Sequence, residues 1–283
     1  MVCGAGERPG AEPPCNMNRQ AATINGVEIN YTLEGEPGRP VVVLCHPLGV
    51  NLNVWAYQIP VLERHFQVLR YDLRGHGGSA VGRTPYSLET LAADAAGLLQ
   101  HLRIDQVAFT GLSIGGMIAQ VFALQYPERL SALVLCSTGS RTGPQAKAGL
   151  DQRIQKVESE GMESQVPLVL QNWFTVGFRE AAPATMGWIA GMIRSTQVAG
   201  FVGCCRAIQE LDVLDRLGAI QVPTLLVAGE QDKNYPPEVS EQIRQRIAGS
   251  ELKGLSNAAH LGSVEQVHAF NEAVSRFLQE VLF

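Results

Sequence analysis

The chain predicts an α/β fold: a mostly parallel central sheet with helices on both faces and an inserted helical lid. Three observations carry this. Short apolar runs alternate with stretches of helical period through the first half, and such alternation builds parallel β-α-β units. The run Pro40-Val-Val-Val-Leu-Cys45 is apolar throughout after its proline, as a central strand covered on both faces requires. The alternation then stops between residues 141 and 206, where no strand pattern is found, and resumes at Pro223-Thr-Leu-Leu-Val-Ala-Gly229.

The elements follow in order. Val27 to Leu33 reads as an early strand, and the run ending at Cys45 leads into His46-Pro47-Leu48-Gly49. A short helix is expected from Asn53 toward Leu62, then a strand from Phe66 to Asp72, then the Gly-rich turn Leu73 to Ser79. Ser87 is placed to cap a helix whose Leu88, Leu91, Ala95, Leu98 and Leu102 share one face. The strand Val107 to Leu112 runs through Gly111-Leu-Ser113-Ile-Gly115 into a helix over Met117 to Leu124, and Leu130 to Cys136 is the next strand. A short strand is expected from Glu251 to Ser256, and a final amphipathic helix from Val264 to Leu282. The expected organisation is a disordered tail over 1–20, a core formed by 21–140 and 207–283, and the lid over 141–206. The lid would cover the carboxyl ends of the strands, where open α/β sheets bind ligands.

Composition bounds the function. Apolar residues make up 46% and charged residues 17% of the 283, a compact globular balance. A net charge of −5 without a basic run gives no footprint for nucleic acid. No apolar run reaches membrane-spanning length. The first twenty residues lack the apolar core of a signal peptide, so a cytoplasmic location is expected. The six cysteines form no Cys-x-x-Cys pattern, and Cys45 and Cys136 fall at strand ends as buried thiols.

The candidate chemistry centres on Ser113. A strand, a Ser between two Gly and a helix form the context in which Gly-x-Ser-x-Gly is a nucleophile elbow: the turn is sharp, the Ser backbone is strained, and its flanks must be small. Asp232 and His260 each follow a later strand, so Ser113, Asp232 and His260 sit on loops at one edge of the sheet.

On these residues the chain resembles the α/β-hydrolases from about Ile24 to Leu282. More narrowly it resembles the 3-oxoadipate enol-lactonases, through Leu48-Gly49 with Trp55 downstream, Val68 to Ser79, Gly111 to Gly116, Arg141 with Gly143, Gly161-Met162 and Asn172-Trp-Phe-Thr175. One departure is His46-Pro47, where that family tends to carry Asn-Ser and esterases His-Pro or His-Gly.

The roles then follow. Ser113 would attack an ester or lactone carbonyl, His260 would take its proton, and Asp232 would hold the imidazole tautomer, with Glu230 the alternative acid. Backbone amides of Leu48 and Ile114 would form the oxyanion hole. No metal or organic cofactor is called for. His46, His76 and Asp72 read as structural, and His65, His101 and His268 as ordinary. The resemblance implies that Arg141 pairs with a substrate carboxylate, with a surface or hinge arginine as the alternative. Trp173 and Trp188 are candidates for an apolar pocket wall or for packing within the lid. The expected partner is a small ester or lactone, not nucleic acid or membrane. A general carboxylesterase, a C–C bond hydrolase, a cofactor-free perhydrolase and a ligand-binding receptor of the same fold remain open.

Overall fold

A computed structural model describes residues 18–283. The expected tail therefore lies outside the described residues up to position 17, and Gln20 already belongs to a strand. β1 (Gln20–Ile24) and β2 (Val27–Glu34) form a hairpin in which Ile24 faces Val27. Its two-residue loop is Asn25-Gly26, with φ of 48° and 77°, the left-handed pair that matches strand twist. The sequence reading began at Val27 and missed β1.

β3 (Val41–Cys45), β4 (Gln67–Tyr71), β5 (Val107–Leu112), β6 (Leu130–Cys136), β7 (Thr224–Gly229) and β8 (Glu251–Leu255) complete an eight-stranded sheet of order β1-β2-β4-β3-β5-β6-β7-β8. β2 runs antiparallel to both neighbours and the other pairings are parallel. β3, β5 and β7 are buried at every position, whereas the edge strand β8 is mostly exposed. Total burial of an alternating backbone means that helices cover both faces.

The helix expected from Asn53 is instead a 3₁₀ turn at Leu52–Trp55 followed by α1 (Ile59–Leu62), because Pro60 lacks the N–H that would continue one helix across the join. α2 (Leu88–His101) is capped as predicted, with Ser87 Oγ accepting from the Thr90 amide at 3.1 Å. α3 (Ile114–Gln125) follows β5 directly and packs on α2.

Between β6 and β7 run α4 (Pro144–Glu160), α5 (Val166–Trp173), α6 (Val176–Ala181), α7 (Pro183–Ser195) and α8 (Val198–Gln209), with no named strand among them. The neck of this insertion is closed by backbone bonds: Thr142 N to Leu211 O and Val213 N to Ser140 O, both 2.8 Å, flank an antiparallel bridge between Arg141 and Asp212. The insertion also rests on the Gly-rich turn. A Cβ on Gly200 of α8 would lie 2.5 Å from Gly75 Cα, and Gly75 itself has φ 69°, so both must be glycine for the backbones to meet.

α9 (Pro237–Arg244) lies between β7 and β8. The expected final helix is broken at Gln266 (φ −124°, ψ 56°) into α10 (Gly262–Glu265) and α11 (Val267–Leu282). Among the described residues no helix is long and apolar enough to cross a membrane.

Candidate active site

Ser113 stands between the last residue of β5 and the first of α3, at φ 58° and ψ −120°. A non-glycine residue is held there only when its surroundings over-determine it. They do. A Cβ on Gly111 would lie 2.1 Å from Gly115 O, and one on Gly115 would lie 2.2 Å from Cys45 O. Strand, turn and helix therefore meet at backbone contact. The Ser113 amide donates to Cys136 O at 3.0 Å, and its carbonyl accepts from Gly116 N, Met117 N and Thr138 Oγ1. The hydroxyl caps nothing. Ile114 contributes the first amide of α3, and such amides have no acceptor within the helix.

Asp232 and His260 come from the loops after β7 and β8. His260 Nδ1 lies 2.8 Å from Asp232 Oδ2, with both side chains buried. The other carboxylate oxygen, Oδ1, accepts from the amides of Asn234 (2.8 Å) and Tyr235 (3.2 Å). With Asp232 as acceptor, the His260 proton sits on Nδ1 and Nε2 is free to act as a base. The Trp173 and Tyr235 rings lie 5.6 and 5.8 Å from the imidazole, centre to centre. Glu230 is not part of this arrangement; it accepts from Ser256 Oγ on the surface.

The loop carrying Leu48 is held by two neutral histidines. His46 Nε2 accepts from Leu73 N (2.9 Å) while Nδ1 faces Pro47 O (2.8 Å). His76 Nε2 accepts from Gly49 N (3.1 Å) while Nδ1 faces Arg74 O (3.0 Å). Asp72 anchors the next turn by accepting from Leu52 N, Gly78 N and Asn30 Nδ2. All three are thus structural, as read.

Burial pushes His46 down to about 4 and His76 down to about 3, the latter also through His46 beside it. Unfolded, each binds a proton near pH 6.5. Below that pH the unfolded chain holds more protons than the fold, so stability falls as pH drops through 6.5 toward 4 and then 3, by about 1.4 kcal/mol per pH unit for each histidine. Burial raises the Asp72 carboxyl, which works in the opposite direction and offsets part of the loss. The melting temperature is therefore expected to fall between about pH 7 and about pH 5. A flat profile there would mean that the two rings are not held neutral.

Ser113, His260, Leu48 and Trp173 open onto one cavity of about 550 Å³ beneath the insertion. Trp188 does not line it; its ring packs edge-on against Tyr57 at 5.7 Å. Arg141 does line it, but its guanidinium is committed to two carboxylates, Asp212 Oδ1 and Asp215 Oδ2, each at 2.6 Å. It fastens the neck of the insertion.

Three residues that the sequence reading passed over belong to this region. Tyr235 and Arg153 line the cavity. Glu265 joins the His260 loop to the insertion, with Oε2 accepting from Ala259 N (2.8 Å) and Oε1 from Thr175 N (3.0 Å) and the Thr175 hydroxyl. Arg153 had a legible signal: it is a charged residue on the same helix face as the buried Leu150, Ile154 and Val157. Glu265 had none.

Residues 40–267 match the family model of the alpha/beta hydrolase fold. The chain is 33% identical to 3-oxoadipate enol-lactonase 2 of Acinetobacter baylyi over 92% of its own length and 97% of that protein. The enol-lactonase of Burkholderia xenovorans LB400 superposes with a TM-score of 0.88 at 35% identity, covering 92% of this chain and 100% of that one. A thermophilic esterase from Thermogutta terrifontis, in a malate-bound structure, gives 0.88 at 29% identity over 94% and 100%.

The chain belongs to the alpha/beta hydrolase fold family. Within that family it is similar to enol-lactonases and esterases.

Proposed function

We propose that the protein is a serine hydrolase that opens a small carboxylated lactone, in the manner of a 3-oxoadipate enol-lactonase. The observation that carries this is the His260–Asp232 pair at 2.8 Å, facing the cavity onto which the strained Ser113 opens. Ser113 Oγ attacks the lactone carbonyl and passes its proton to His260 Nε2. Asp232, fixed by two backbone amides, stabilises the imidazolium. The Leu48 and Ile114 amides receive the oxyanion, each worth about 3 kcal/mol to the transition state. The ring oxygen departs, taking the proton back from His260. Water, deprotonated by His260, then attacks the acyl carbonyl, and the acid is released as His260 returns the proton to Ser113 Oγ. Residues 141–206 act as a lid that encloses the substrate, and the cytoplasm is the expected setting.

The likeness to enol-lactonases over nearly the whole of both chains favours the lactone. The esterase likeness and His46-Pro47 favour a second reading, a small-ester carboxylesterase with the same triad. Turnover of 3-oxoadipate enol-lactone, neutral γ- and δ-lactones and p-nitrophenyl esters separates them. The first reading expects the enol-lactone to lead in kcat/KM by about 100-fold, since recognition of one charged group contributes that much. A lead for neutral esters would replace it with the second.

A further inference from the structure

We propose that Arg153 is the residue that binds a carboxylate of the substrate, so that the cavity selects short lactones or esters carrying a free carboxylate. This rests on the hydrolase reading above and names the specificity determinant within it.

Arg153 lies on the inner face of α4 and lines the cavity with Ser113 and His260. Its guanidinium is fixed on two sides. Nε donates to Gln165 Oε1 at 2.9 Å, and Gln165 is fully buried. The guanidinium carbon sits 5.1 Å from the centre of the Phe201 ring. Phe201 reaches in turn to the loop after β3, where a Cβ on Gly49 would lie 3.5 Å from its Cε2 atom. The Phe201 ring thus lies between Arg153 and the loop that carries Leu48.

No hydrogen bond among the described residues uses the two terminal nitrogens of Arg153, and no carboxylate pairs with it. The side chain is half-buried at the cavity wall, where the cavity reaches it. Burial pulls it below the ordinary arginine value, yet arginine keeps its charge. A partly desolvated cation without a counter-ion is unfavourable, and a planar fork with its terminal edge free matches a carboxylate through two parallel hydrogen bonds.

The cavity as a whole fits the same ligand. Its charged lining residues are Arg141, Arg153 and Lys156, and it contains no Asp or Glu. Arg141 is already neutralised by two aspartates. Lys156 is exposed. Arg153 remains as the half-buried positive charge with no carboxylate beside it.

The test uses two esters that differ by one charge, mono-p-nitrophenyl glutarate and its methyl ester, with wild type, Arg153→Gln, Arg153→Lys and Arg141→Gln. The readout is the ratio of kcat/KM for the anion to that for the neutral ester. Arg153→Gln is expected to lower this ratio about 100-fold, mainly through KM for the anion, with Arg153→Lys recovering part of it. Arg141→Gln is expected to leave the ratio within about threefold. A loss shared equally by both esters in Arg153→Gln, or a ratio that collapses in Arg141→Gln instead, overturns the proposal.

Calorimetric binding of glutarate to the same full-length proteins separates this proposal from the hydrolase reading. If wild type cleaves neither ester, the hydrolase reading fails. Glutarate affinity that then drops in Arg153→Gln supports the anion site, and equal affinity in both proteins overturns it.

Discussion

Ser113→Ala is expected to lower kcat by roughly 10⁵ to 10⁶ while leaving the fold intact, because Ser113 is the proposed nucleophile and loss of a nucleophile alone costs nearly as much as loss of a whole triad. The hydroxyl has no structural duty: it makes no cap bond, and the backbone bonds of Ser113 to Cys136, Gly116 and Met117 are independent of the side chain. Stability should move by less than about 0.5 kcal/mol. Ser113→Gly should be equally inactive but more stable than Ser113→Ala. Alanine inherits φ 58° and ψ −120°, and such a conformation costs a residue with a Cβ about 1–3 kcal/mol. Glycine escapes that strain and returns about 0.5–1 kcal/mol of it through its freer unfolded chain. The net gain of about 1 kcal/mol corresponds to about 2–4 °C in Tm. Turnover assays and calorimetric melting of the two variants check both parts. Residual activity in Ser113→Ala above one part in about a thousand would remove Ser113 from the mechanism. Equal melting temperatures would show that the elbow stores no strain.

Much of this architecture was legible because it is written in local chemistry. β3, β5 and β7 are continuous apolar runs, and a strand buried on both faces can hardly be written otherwise. Ser113, Asp232 and His260 could be placed together because in a parallel sheet every strand delivers its following loop to the same edge. β1 went unread: Asn25-Gly26 is a hairpin signal, but the QAATI sequence has the weak alternation of an exposed edge. The break at Gln266 carries no proline or glycine and is set by contacts that only the folded chain makes.

Side-chain partnerships were the illegible part. The sequence left Arg141 open between a substrate carboxylate and a surface or hinge role, and its partners Asp212 and Asp215 lie some seventy residues away. The charges of the insertion nearly balance along the sequence, yet folding sorts them so that cations alone face the cavity. Net charge cannot report that sorting, because it depends on which helix faces turn inward.

Glu265→Gln is expected to damage catalysis and stability together. His260 is held through its neighbours: Ala259 N donates to Glu265 Oε2 (2.8 Å), and Leu261 N donates to Trp173 O (3.1 Å). Glu265 Oε1 also gathers the amide and hydroxyl of Thr175, the residue that caps α6. One buried carboxylate thus ties the loop bearing His260 to the insertion two residues beyond Trp173. Glutamine keeps one acceptor oxygen and turns an NH₂ toward donors at the other position. At least one charge-assisted bond becomes a clash of donors, which costs about 2–4 kcal/mol of stability. If the loop relaxes by as little as about 1 Å, kcat falls by up to about 100-fold, since proton transfer depends on that geometry. The anion-to-neutral ester ratio set by Arg153 should hardly change, because Glu265 touches no part of that site. Steady-state kinetics well below the melting point distinguish positioning from mere support. A lower Tm with unchanged kcat would show that Glu265 only stabilises the junction. A drop in kcat with an unaltered ester ratio would show that the insertion and His260, the proposed base, are aligned through this one carboxylate.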